Sequence, residues 1–145
     1  MRRGPHATRE NLGFLLAKAT QRWNGLLAER FAHEGYPEVR PSYGSLLVPL
    51  FEQDGLRMSE LATRARLSKQ TMTTMVRLLE RDGLVRREPD PGDGRATLVY
   101  LTARSRAFRP VAERVLGELD SRIRTRLSAD DLARLKAMLK GVIEL

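Results

Sequence analysis

Gln70, Thr73, Thr74, Arg77 and Arg81 recur at steps of three and four between Lys69 and Asp82. A helix over that stretch gathers one amide, two hydroxyl-methyl side chains and two guanidiniums on one side. This set matches the edges of base pairs in a DNA major groove. Glutamine pairs with adenine, threonine bonds a base edge or phosphate or touches the thymine methyl, and arginine forks onto guanine or phosphate. Met75, Val76 and Leu79 fall within about 60° of Met72 at 100° per residue, a compact stripe for burial. Ser68 is placed to cap the helix, and the free amides near Ser68 and Lys69 suit a phosphate. Most exposed helices are polar on one side, so this face alone does not decide the matter. Arg86, Arg87 and Arg95 follow on a second element, and an arginine at a narrow minor groove gains from the negative potential there.

The elements that must hold these residues are readable from periodicity. Ser59 is expected to cap a helix through Arg66 with Leu61, Ala62 and Ala65 inward. Leu67 plugs the turn, and Ser68 opens a helix that Gly83 closes. That is helix-turn-helix spacing. From residue 84 the period changes to two: Leu84–Glu88 and Thr97–Leu101 flank Pro89-Asp90-Pro91-Gly92-Asp93-Gly94, which predicts a β-hairpin. Alternation along a strand sends Arg86 and Arg87 to opposite faces, so at most one of them faces DNA. A helix-turn-helix followed by a basic hairpin is a winged helix.

Flanking segments supply apolar helices. Beyond a basic tail through Pro5, Leu12, Leu15, Leu16, Ala19, Trp23, Leu26, Leu27 and Phe31 predict a helix from about residue 8 to 34, long enough to serve an interface, stopped by Gly35 and Pro37. A second helix after Pro41 and Ser42 buries Leu46, Leu47, Leu50 and Phe51, with Pro49 predicting a kink or an early end. Thr102 caps a long helix bearing Val111, Val115, Leu119, Ile123 and Leu127, with Pro110 as a second predicted kink. Ser128 opens a final helix with Leu132, Leu135, Leu139 and Val142 inward.

The chain has 145 residues, 26 Lys and Arg against 18 Asp and Glu, and a net charge of +8, which directs it to an anionic partner. Between Arg57 and Arg109 stand twelve positive and six negative residues, so the excess lies on the winged segment. With no cysteine, thiolate catalysis, disulfides and cysteine-ligated metal are excluded. Two histidines, His6 and His33, make a histidine metal site or a Ser/His/Asp set improbable, and no metal or cofactor is expected. Gly92-Asp93-Gly94-Arg95 is not a phosphate loop, because it lacks the lysine and the following helix. An enzyme is not expected. No apolar run spans a bilayer and no hydrophobic leader opens the chain; a cytoplasmic protein with no membrane association is expected.

Over essentially its whole length the chain resembles the MarR family, the multiple-antibiotic-resistance regulators. Asp93-Gly94-Arg95, five residues and then Leu101-Thr102 match the family's wing signature. Met58-Ser59-Glu60-Leu61-Ala62, Leu67-Ser68-Lys69-Gln70-Thr71-Met72-Thr73 and Leu79-Glu80-Arg81-Asp82-Gly83-Leu84-Val85 are similar to the first helix, the start of the recognition helix and its exit. The resemblance implies a mainly α fold of six helices with a small β-hairpin wing, forming an intertwined homodimer on a palindromic double-stranded operator. Its segments would be an N-terminal dimerisation helix (1–38), the winged domain (39–101) and C-terminal dimerisation helices (102–145). Carried over residue by residue, it implies DNA contacts from Ser68, Lys69, Gln70, Thr71, Thr73, Thr74 and Arg77, with Arg86 or Arg87 and Arg95 in the wing. Asp93 would shape the tip by accepting its amides and pairing an arginine, and a capping hydrogen bond is as good a role for Thr71 as a base contact. The resemblance also implies a small aromatic or anionic effector, for which Trp23, Phe31, Tyr36, Tyr43 and Phe51 are candidate walls and Arg40 a partner for a carboxylate, although an aromatic at helical spacing is more often core. The function expected is a ligand-released transcriptional regulator, a repressor. The alternative is a ligand-independent or architectural DNA-binding protein controlled by abundance or a protein partner. Arg66 stands where the family often has a turn glycine, and no glycine stands near Ser105.

Overall fold

The computed structural model describes residues 4–145; residues 1–3 of the basic tail lie outside the described residues. Helix α1 covers Leu12–His33, a 3-10 turn Pro41–Tyr43, and α2 Gly44–Glu52. Strand β1 is Leu56–Arg57, α3 Met58–Ala65 and α4 Lys69–Arg81. The wing strands are β2, Val85–Asp90, and β3, Asp93–Leu101, followed by α5, Ala103–Arg124, and α6, Ala129–Ile143. Six helices and a small antiparallel sheet make this the winged helix expected from the sequence.

Several boundaries differ from expectation for local reasons. The first helix starts at Leu12, because the Asn11 side chain accepts the Gly13 amide at 2.8 Å and caps it there. The third helix begins at Met58 with Arg57 as N-cap, so Ser59 lies inside the first turn and caps nothing. Both α2 and α5 run through their prolines, Pro49 and Pro110. Pro49 removes one backbone bond, and α2 ends within a turn of it. Strand β1 escaped sequence reading because two residues carry no period; it pairs Leu56 with Val99 and Arg57 with Leu98 on β3, giving the order β1-β3-β2.

Helix closure shows how the turn chemistry is met. Gly83, at φ +76°, ends α4: its amide bonds Glu80 at 3.1 Å and the Leu84 amide bonds Leu79 at 2.9 Å, a Schellman closure. Helix α3 closes in the same way with Arg66 at φ 54°, its amide bonding Thr63 and the Leu67 amide bonding Ala62 at 3.0 Å. The turn expected to want glycine is thus built with an arginine in the left-handed region. At α5, Thr102 and Ser105 cap reciprocally: the Thr102 amide donates to Ser105 Oγ at 3.0 Å and the Ser105 amide to Thr102 Oγ1 at 3.3 Å. Ser105 is fully buried there.

The described chain divides into two compact units, one up to Arg109 and one from Pro110 to Leu145. In the first, Leu46, Leu47 and Leu50 of α2, Leu56 of β1, Leu61 of α3, Met72, Val76 and Leu79 of α4, and Leu84 and Val99 form the core under the helix-turn-helix. Phe108 packs edge-on to Phe31 at 4.8 Å and against Tyr36 at 5.1 Å. Arg104 donates to Glu38 at 2.7 Å and to the Gly35 carbonyl, and lies 3.8 Å over the Tyr36 ring. Its hydrogen bond holds the Glu38 carboxyl below the usual range. In the second unit Ser128 accepts the Asp131 amide and opens α6 as expected. Of the four α6 residues expected inward, Leu132 is buried, whereas Leu135, Leu139 and Val142 are each 36% exposed and Met138 is 63% exposed.

Gly55 fixes the turn into β1. Its φ is +70°, and a Cβ there would stand 2.7 Å from Tyr100 Cε1. Gly55→Ala is expected to cost about 1–2 kcal/mol for the left-handed backbone alone, more if the ring resists, read as a lower urea midpoint; an unchanged midpoint contradicts it.

Candidate nucleic-acid interface

Helix α4 presents the face read from the sequence. Met72, Val76 and Leu79 are buried and Met75, expected in the same stripe, is half-buried, while Lys69, Gln70, Thr74 and Arg77 are exposed and Thr73 half-buried. Ser68 Oγ accepts the Thr71 amide at 3.1 Å and donates to Thr71 Oγ1 at 2.9 Å, so Thr71 belongs to the cap. The Thr73 and Thr74 hydroxyls donate back to the Lys69 and Gln70 carbonyls at 2.9 and 3.2 Å. A hydroxyl that donates in this way keeps lone pairs that can accept from a base amine, and a threonine methyl can meet a thymine methyl. Arg77 makes no ion pair among the described residues.

The wing's arginines divide. Arg95 is exposed at the tip and, like Arg77, makes no ion pair among the described residues. Asp93 Oδ1 accepts the Arg95 amide at 3.1 Å, as expected of a tip carboxylate. The arginine pairing expected of it falls instead to Asp90, which takes Arg57 at 2.8 Å and the Gly92 amide at 2.9 Å. Arg86 pairs with Glu88 and lies 4.6 Å over the Tyr100 ring, its cross-strand partner. Arg87, on the opposite strand face, forks onto Glu80 of α4 at 3.0 and 3.1 Å, which raises its pKa further above the usual guanidinium value.

At the far end of α4, Tyr43 is fully buried and donates its hydroxyl to Asp82 Oδ2 at 2.5 Å. Arg81 Nε donates to the other oxygen at 3.1 Å. Hydrogen bonds from Arg81 and then Tyr43 hold the Asp82 carboxyl below its usual range, while burial first and Asp82 second push Tyr43 up. A carboxylate at a helix C-terminus opposes the helix dipole, and that misplaced charge is the clue in the sequence that Asp82 has a partner.

Five of the six candidate effector residues take part in ring contacts. Phe31 and Tyr36 pack on Phe108, Tyr43 bonds Asp82 with Arg40 6.0 Å over its ring, and Phe51 lies under Arg109 at 5.5 Å. Trp23 is half-buried on α1. Among the described residues no group of His, Asp or Glu is placed to hold a metal ion, and no helix is long and apolar enough to cross a membrane.

Fold and face together define a winged helix-turn-helix protein. The MarR family model matches residues 41–97. The HTH-type transcriptional repressor Rv2887 of Mycobacterium tuberculosis is 38% identical over 91 residues, 63% of this chain and 66% of that repressor's length. The transcriptional regulator HosA of Escherichia coli O111:H- is 30% identical over 102 residues, 70% of this chain and 75% of HosA. Among solved structures, the transcriptional repressor CouR bound to a 23-mer DNA duplex is 25% identical, with a TM-score of 0.79 over 99% of both chains. The chain belongs to the MarR family of transcriptional regulators.

Proposed function

We propose that the chain is a repressor that binds a palindromic operator as a homodimer, with Gln70, Thr73, Thr74 and Arg77 on base edges, Ser68 and Lys69 on phosphate, and Arg95 in the minor groove. The observation that carries this reading is the pairing of an outward α4 face with an uncommitted tip arginine, in a fold that CouR shares while holding a DNA duplex. The homodimer is supported by apolar side chains left outside on both dimerisation segments: Leu12, Phe14 and Leu15 of α1, and Met138 and Ile143 of α6. Scattered apolar residues are ordinary on a surface, but helical rows of them mark interaction sites. A small aromatic or anionic effector that prefers one spacing of the two recognition helices would release the operator. A second reading, control by abundance or a protein partner, is favoured by the engagement of Phe31, Tyr36 and Tyr43 in core contacts.

Competition of a labelled palindromic fragment from the chain's own upstream region against bulk DNA tests the operator; a preference on the order of 10³ or more is expected, and equal competition sinks it. Arg95→Ala is expected to weaken binding and to lower the slope of log affinity against log salt by roughly one unit per subunit. Unchanged affinity and slope would remove Arg95 from the interface.

A further inference from the structure

Two ion pairs tie the helix-turn-helix to the wing. Glu80 lies on the last turn of α4, and Arg87 two residues inside β2. The guanidinium donates from Nε to one carboxylate oxygen at 3.1 Å and from Nη2 to the other at 3.0 Å. This planar fork fixes orientation as well as distance. Arg57, just before α3, meets Asp90 at 2.8 Å at the far end of the same strand. A two-stranded hairpin is marginally stable by itself, and Arg95 lies on β3 between the Asp90↔Asp93 and Pro89↔Thr97 pairs, where the register shifts, so its direction depends on what ties the strands to the helices. Backbone pairing with β1 covers only Val99 and Leu98 of β3. Strand β2 is held at its near end to α4 by Glu80 and at its far end to Arg57 of β1, the N-cap of α3.

We propose that Glu80–Arg87 and Arg57–Asp90 are struts and their members positioning residues for DNA binding: they hold the wing at a set angle to α4, so that Arg95 and the α4 face meet one duplex together. The inference rests on the DNA-binding reading above. It reassigns Arg87, whose basic strand position suggests a phosphate contact, to a role in which its donors are turned to Glu80. Exposed ion pairs contribute little to stability unless the geometry is bidentate. Here the gain falls on binding, because a wing already ordered loses less freedom when it docks.

The acidic partner separates strut from contact, since the two views predict opposite signs. If charge alone mattered, Glu80→Ala would tighten DNA binding by removing a negative group from a basic surface. A strut predicts weaker binding. The probe is a short labelled duplex enriched from a random pool by the wild-type protein. Glu80→Ala and Arg87→Ala are each expected to bind it about three- to fivefold more weakly, with the wild-type salt slope. The exchanged pair, Glu80→Arg with Arg87→Glu, keeps the net charge and is expected to recover most of the loss. Glu80→Ala binding as tightly as wild type or tighter, or Arg87→Ala lowering the slope by roughly one unit per subunit, overturns the proposal. Should Glu80→Ala melt below the assay temperature, Asp90→Ala carries the same sign test on the second strut. If the wild type enriches no duplex, the DNA reading falls and the inference with it, whereas enrichment followed by the wrong sign sinks the inference alone.

Discussion

Arg77→Ala is expected to cut the preference for operator over random DNA by about 1–3 kcal/mol, the range for losing one bidentate base contact. Arg77 lies seven residues after Gln70 and four after Thr73, on the outward side of α4, so the three sample successive positions along a groove. Its guanidinium makes no ion pair among the described residues, so no described carboxylate competes for its fork. The measurement is a titration of wild type and variant against operator and scrambled duplexes at one salt concentration. A loss confined to the operator places Arg77 on a base. A uniform loss with a lower salt slope moves it to a phosphate, and no loss removes it from the interface. Thr73→Ala is expected to act in the same direction through a lost acceptor and methyl.

Tyr43→Phe is expected to destabilise the chain by about 1.5–3 kcal/mol near neutral pH, the scale for a hydrogen bond to a charged group. The change leaves the ring in the core and removes only the hydroxyl that Asp82 accepts. The sign with pH follows from the depressed Asp82 pKa. A carboxylate whose folded value lies below its ordinary 3.8 contributes stability present above that value and lost as pH falls through the folded one. Without the Tyr43 donor, the Asp82 value rises toward the ordinary one, so the gap between variant and wild type narrows on acidification. Urea unfolding near neutrality and at about pH 3 checks this. A gap that stays constant would show that Asp82 is not the acceptor in solution. Because Asp82 caps α4, the variant also loosens the exit of the recognition helix, and a weaker operator complex is expected with it.

The local devices of this protein were readable from residue order. Ser68 and Ser128 cap as expected, Gly83 closes α4, and the amphipathic period of α4 separates Met72, Val76 and Leu79 from Gln70 and Arg77. Each depends on residues within one or two turns, where side-chain chemistry and helical geometry leave little choice. The wing hairpin followed from its Pro, Gly and Asp residues for the same reason, although its strands run closer to the tip than alternation suggested.

Partners distant in sequence were decided only by the tertiary structure. Tyr43, a candidate effector wall under the family resemblance, is a core residue bonded to Asp82, 39 positions away. Arg86 and Arg87, basic residues beside a basic helix, are taken up by Glu88 with Tyr100 and by Glu80. The α6 stripe is inward by period, yet of its four residues only Leu132 is buried within one chain. The physical reason is common to all three. Periodicity tells which side of an element is apolar or charged, but the partner of that side is set by how elements pack, and packing joins residues whose separation along the chain carries no signal.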